Sequence, residues 1–180
     1  MDRKIYILGT SHEYQRNDDG CSPSSIVKFK NYLREICERY EVKAIAEEMS
    51  EEALAFFDRK ISIPKQFTQE INIDHQYVDP TNEEKKKICI KPSGYFAQGV
   101  KFPENLQPKE VRGRSQEEAD QLEWAEDLKR EPVWLEKILA LNMWPLLFIC
   151  GSKHVESFKY LSVKQGISVK VANNNWKPID

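Results

Sequence analysis

"PLLFICGSKH", residues 145–154, carries an apolar run into Gly151 and then, three positions on, His154. A short apolar run bounded by a glycine reads as a strand buried on both faces, the kind that parallel sheets contain. "KIYILGTSH", residues 4–12, has the same shape, with Gly9 three positions before His12. The chain has three histidines and seven glycines in 180 residues. A given histidine would have Gly three before it in roughly 4% of cases, so two of three by accident is of order 0.5%.

Working outward, the first strand spans Lys4 to Leu8. The polar stretch "GTSHEYQRNDDGC" reads as a loop leading to Ser22-Pro23, a helix entry with proline at the first helical position. Ile26, Phe29, Leu33, Ile36, Cys37 and Tyr40 then follow at the three-and-four spacing of a one-sided helix. "VKAIAEE" reads as a second strand ending in acid, and Ser50 as the cap of a helix with acids in its first turn. Pro64 punctuates the next segment. "INIDHQYVD" gives a third strand, followed by a capping box from Thr81 and Glu84 that opens a short basic helix.

Residues 90–114 hold no sustained period and read as an irregular excursion or a lid within the domain. Ser115 with Glu118 forms a second capping box, opening a helix that Pro132 should kink or divide. The strand "PLLFICG", a helix from about Lys153 to Gln165 stopped by Gly166, and the strand "ISVKVAN" complete the pattern. Strands alternating with helices predict an α/β fold. Its mainly parallel central sheet would have about five strands, with helices on both faces. Residues 1–180 read as a single domain.

Composition narrows the function. The chain is 40% hydrophobic and 31% charged, with formal net charge -2. That balance argues against a nucleic-acid or anionic-membrane partner, which would need a basic face; "EEKKKICIK" reads as a solvated helix face. The first residues hold too short an apolar run for a signal peptide, and no run approaches the ~20 residues of a membrane span. Four scattered cysteines without a C-x-x-C pair fit reduced thiols. The expectation is a cytoplasmic protein; the sequence leaves a homo-oligomer open.

Chemistry-bearing residues gather at strand ends. Gly9 and His12 follow the first strand, Glu47 and Glu48 the second, Asp79 the third, and Gly151 and His154 the fourth. In open parallel sheets, ligands bind in the crevice beyond the carboxyl ends of the strands. Glycine there permits positive φ or close backbone approach. Histidine accepts or donates a proton near neutral pH or binds a metal, and a carboxylate beside it orients it or joins it around an ion. Each residue also has a plainer role. His12 and His154 could cap helices, Glu47-Glu48 could complement a helix dipole, and Asp79 could belong to a turn. His75 reads as a hydrogen-bonded strand residue, and Trp124, Trp134 and Trp144 as core. Arg130, before the Pro132 break, could clamp an anion or pair with Glu126 or another neighbour.

Two G-x-x-H motifs, an acid after the second strand and a late arginine together resemble the TraB/Tiki superfamily, related to erythromycin esterases and ChaN-like haem-binding lipoproteins. On that resemblance "GTSH" supplies Gly9 and His12, "GSKH" supplies Gly151 and His154, "AIAEE" supplies Glu47 or Glu48, and "REPVW" supplies Arg130. Described activities in that group range from metal-dependent proteolysis to metal-independent hydrolysis through a histidine base and to haem binding. This chain is shorter, without their long helical insertions.

The resulting expectation is a hydrolase of a small molecule or peptide. His12 would act as general base or metal ligand, Glu47 or Glu48 would orient it or co-ligate, and His154 would complete the pair. Arg130 would stabilise the anionic transition state. Gly9, Asp79 and Gly151 would line the binding cleft. His12, Glu48 and His154 could hold a divalent ion such as Mn²⁺ or Zn²⁺. The alternative is a ligand-binding or sensing protein that uses the same cleft without turnover.

Overall fold

Five strands form one sheet in the order β3-β2-β4-β1-β5, with every neighbouring pair parallel. They are β1 (Lys4–Thr10), β2 (Ala44–Glu47), β3 (Asp74–Tyr77), β4 (Leu146–Gly151) and β5 (Ser168–Trp176). The computed structural model describes residues 3–91 and 115–179. The expected excursion at 90–114 therefore lies almost wholly outside the described residues. The chain divides into a larger unit, Met1–Asp79 with Pro132–Asp180, and a smaller one, Pro80–Glu131.

The larger unit contains the sheet. Helices α1 (His12–Arg16), α2 (Pro23–Tyr40), α3 (Glu51–Phe56) and α4 (Ile63–Ile71) belong to it, as do α7 (Glu131–Leu141), apart from its first residue, and α8 (Val155–Lys164). Strand residues alternate between two apolar cores, as the period of two requires. Ile5, Ile7, Ala44, Ala46, Leu146 and Phe148 pack with Trp134, Ile138 and Phe158 of α7 and α8. Tyr6, Leu8, Ile45, Leu147 and Ile149 pack with Phe29, Leu33, Ile36 and Phe67 of α2 and α4. Helices thus cover both faces, and the apolar runs of β1 and β4 are continuous because neither face meets water.

Strand order decides what becomes neighbours. From β1 the chain passes to β2 and β3, then β4 returns to lie between β2 and β1. In register, Thr10 is opposite Gly151 and Glu47 opposite Ile149. At about 4.8 Å between strands, the ends of β1, β4 and β2 fall within one side-chain-lined edge.

Several local details differ from expectation for identifiable reasons. The loop after β1 contains α1, five residues without apolar periodicity, ended by Asn17 in the left-handed conformation. Pro64 does not interrupt a segment but occupies the first turn of α4, behind the Ser62 cap. Pro132 divides the late helical stretch completely, since α6 (Gln116–Leu128) ends before it and α7 begins one residue ahead of it. The last strand continues through "NNN" to Trp176, whose ring lies among Tyr14, Phe29 and Tyr32.

The smaller unit holds α5 (Asn82–Lys87) and α6, and capping boxes open both helices. Among the described residues, no helix is long and apolar enough to cross a membrane.

Candidate functional site

The alternation of β2 separates its terminal acids. Ile45 and Glu47 point toward α2 and α4, whereas Ala44 and Ala46 point toward α7 and α8. Glu48, one residue beyond the strand, continues the alternation and faces the start of α8. Its N–H donates to Ile149 O at 2.8 Å, which holds the backbone to β4 past the last strand residue.

Glu48 is the centre of one cluster. Its Oε2 accepts the Gly151 N–H at 2.7 Å. Its Oε1 lies 3.7 Å from His12 Nε2 and 3.7 Å from His154 Nε2. Both distances exceed hydrogen-bond length but allow charge interaction once a ring is protonated. Glu48 and His154 are buried, while the His12 side chain is 36% exposed, so His12 is the member that meets solvent. The His154 ring stands edge-on to Trp134 at 4.8 Å between centroids. Trp134 Nε1–H in turn donates to Asp79 Oδ1 at 3.0 Å.

Glu47 is the centre of the other cluster. Fully buried, it accepts from Gln15 Nε2 at 3.2 Å, Ser62 Oγ at 2.5 Å and His75 Nε2 at 3.0 Å. Three donors offset the desolvation that an isolated carboxylate would suffer there. Tyr77 OH donates to Ser62 Oγ at 3.4 Å. Burial pushes the Tyr77 hydroxyl pKa up, and the nearby Glu47 adds to this, against the lowering effect of its bonds with Ser62. The two clusters are joined through one ring, because His12 Nδ1 lies 2.6 Å from Gln15 Oε1.

The glycines act by close approach. Neither Gly9 nor Gly151 has positive φ; among described glycines only Gly166 does. A Cβ on Gly9 would meet Asn174 O at 2.1 Å and Val155 Cγ2 at 2.5 Å, so Gly9 admits β5 and α8 rather than a ligand. A Cβ on Gly151 would stand 3.3 Å from His12 Nε2 and 3.5 Å from Glu48 Oε2. Gly151 keeps the space between the histidine and the carboxylate open.

The structure thus brings His12, Glu48, His154 and Gly151 together. It places Glu47 on the opposite face, connected through Gln15, and Asp79 behind Trp134. Arg130 belongs to the smaller unit, where its Nη2 lies 3.2 Å from Asp127 Oδ1 and its side chain lines a cavity of about 490 Å³ with Asn82, Lys85 and Lys86. Among the described residues, no group of three or more His, Cys, Asp or Glu side chains is placed to hold a metal ion. Sequence reasoning missed Gln15 and Ser62; the only signal for Ser62 was its place before Pro64, and Gln15 gave none.

Compared with protein-family models, curated proteins and solved structures, the chain finds no significant match in any of the three.

Proposed function

We propose that the protein is a hydrolase acting on a small molecule or peptide at the carboxyl edge of the sheet, with His12 as general base. The observation that carries this reading is the approach of His12 and His154, each through Nε2, to the same buried Glu48 oxygen at 3.7 Å. His12 Nε2, on a side chain that is 36% exposed, would take a proton from water as the water attacks a carbonyl-type carbon. Glu48 would stabilise the imidazolium that results, a contribution strengthened by burial. His154 would share the Glu48 charge, and the proton held on His12 Nε2 would pass to the leaving group. The four cysteines are free thiols, which supports the cytoplasmic reading.

The test is a screen of the purified protein on ester, lactone, peptide and phosphoester substrates, with and without chelator. His12→Ala and His154→Ala should each lose roughly 100-fold or more in turnover with unchanged circular dichroism. Wild-type rates in either variant would sink the reading. Absence of turnover combined with thermal stabilisation by small anions would favour the ligand-binding alternative.

A further inference from the structure

We infer that Gln15 is a positioning residue that fixes His12 in the Nδ1–H tautomer, with Glu47 as the buried anchor that orients Gln15. The geometry of the inference stands alone; its catalytic consequence rests on the general-base reading.

A neutral imidazole carries one proton, and the partner of one nitrogen decides which nitrogen keeps it. Glu47 offers acceptors, so the Gln15 amide must turn its NH2 toward Glu47 Oε1, at 3.2 Å. That orientation presents Gln15 Oε1 to His12 Nδ1 at 2.6 Å. An amide oxygen can only accept, so Nδ1 must be the protonated nitrogen and Nε2 is left with its lone pair. A neutral histidine side chain in water favours the opposite tautomer, so the protein imposes this one.

The anchor cannot easily turn over. Ser62 Oγ accepts the Lys65 N–H at 3.2 Å as the cap of α4, so its own proton goes to Glu47 Oε2. His75 Nε2 adds a second donor to the same oxygen. Reversing the Gln15 amide would set its oxygen against a carboxylate oxygen and its NH2 against Nδ1–H. Gln15 is fully buried on α1, which leaves its amide no water to turn toward. The consequence lies on the far side of the ring. The bare Nε2 is the nitrogen that faces Glu48, on a side chain 36% exposed, where a base has to act.

Two-bond ¹H–¹⁵N correlation spectra test this, recorded in chelator at rising pH until the histidine ring signals stop moving, with His12 assigned by its loss in His12→Asn. Wild type should show a protonated Nδ1 and a bare Nε2 at His12. In Gln15→Met, which keeps the volume but removes the acceptor, the proton should move to Nε2. A wild-type His12 protonated on Nε2 overturns the inference, and needs no variant to fold. Retention of the Nδ1–H form in a folded Gln15→Met also overturns it. Failures of the two readings are separable. An Nδ1–H ring in a protein that hydrolyses nothing keeps the positioning role and removes the base. Turnover from an Nε2–H ring removes the positioning role and keeps the hydrolysis, with the base no longer at His12 Nε2. Where turnover is found, Gln15→Met should lower kcat roughly tenfold or more with KM little changed.

Discussion

Glu47 and Glu48 are consecutive residues whose carboxylates lie on opposite faces of the sheet, one bonded to Ser62, His75 and Gln15, the other to Gly151 and facing two histidines. The pair gives the edge two different carboxylates from one dipeptide. Glu47 is committed to internal donors. Glu48 Oε1 is directed to the edge where His12 meets solvent.

The two acids should therefore fail differently. Glu47→Ala removes the acceptor of three buried donors and should lower stability by on the order of 3 kcal/mol, read from denaturant unfolding. Glu48→Gln preserves shape and an acceptor for Gly151, and should shift stability by less than about 1 kcal/mol. Under the proposed function it should nonetheless lower turnover by roughly 100-fold. Equal stability losses in the two variants would contradict this division.

The glycines of the two G-x-x-H stretches should separate in the same way. Gly9→Ala forces a methyl against the Asn174 carbonyl and Val155, where backbone cannot yield cheaply, and should destabilise by about 1–3 kcal/mol or prevent folding. Gly151→Ala meets the His12 ring at the tight but adjustable distance of 3.3 Å. It should leave the unfolding midpoint nearly unchanged while shifting the His12 ring resonances.

This contrast shows what the sequence could and could not convey. Apolar runs at Ile5–Leu8 and Leu146–Cys150 reveal strands covered on both faces, because burial removes the polar alternation. The placement of histidines and acids at strand ends then follows from parallel topology. Which of Glu47 and Glu48 faces the histidines did not follow, since Glu48 lies beyond the strand and its direction depends on the bond from its N–H to Ile149. Helix α1 was hidden because "HEYQR" has no apolar period and its buried residue is a glutamine. The extension of β5 through three asparagines runs against strand propensity and is held by pairing to β1. The Gln15 link depends on Glu47, 32 positions away in the chain, and on the Ser62 bond that anchors Glu47, a tertiary relationship that no local pattern encodes.

Asp79 offers a way to tell a ligand-binding residue from a supporting one. Its Oδ1 accepts from Trp134, the ring against which His154 stands. Asp79→Asn retains an oxygen at that position and should keep stability within about 1 kcal/mol, whereas Asp79→Ala should lose about 1–3 kcal/mol. Near-normal turnover in the Asn variant supports the supporting role; complete loss with an intact fold would assign Asp79 to substrate.

Cys37 predicts a pH dependence. Burial on the core-facing side of α2 pushes its thiol pKa up to about 12 from an ordinary 9.0, with the neighbouring Glu38 adding to the rise. Below pH 9 the thiol is protonated in both folded and unfolded chains, so it confers no pH dependence. Above that, the unfolded chain releases the proton first, and stability falls as pH rises from about 9 toward 12. The slope approaches about 1.4 kcal/mol per pH unit. Cys37→Ala removes this term while adding a constant packing loss. The stability gap between wild type and variant should therefore narrow by roughly 1.4 kcal/mol between pH 8 and pH 10, measured from urea unfolding. A gap that stays constant across that range would show that the thiol ionises equally well in the folded state. Native alkylation at pH 8 gives an independent check: exposed Cys89 should react, whereas Cys37 should react only on unfolding.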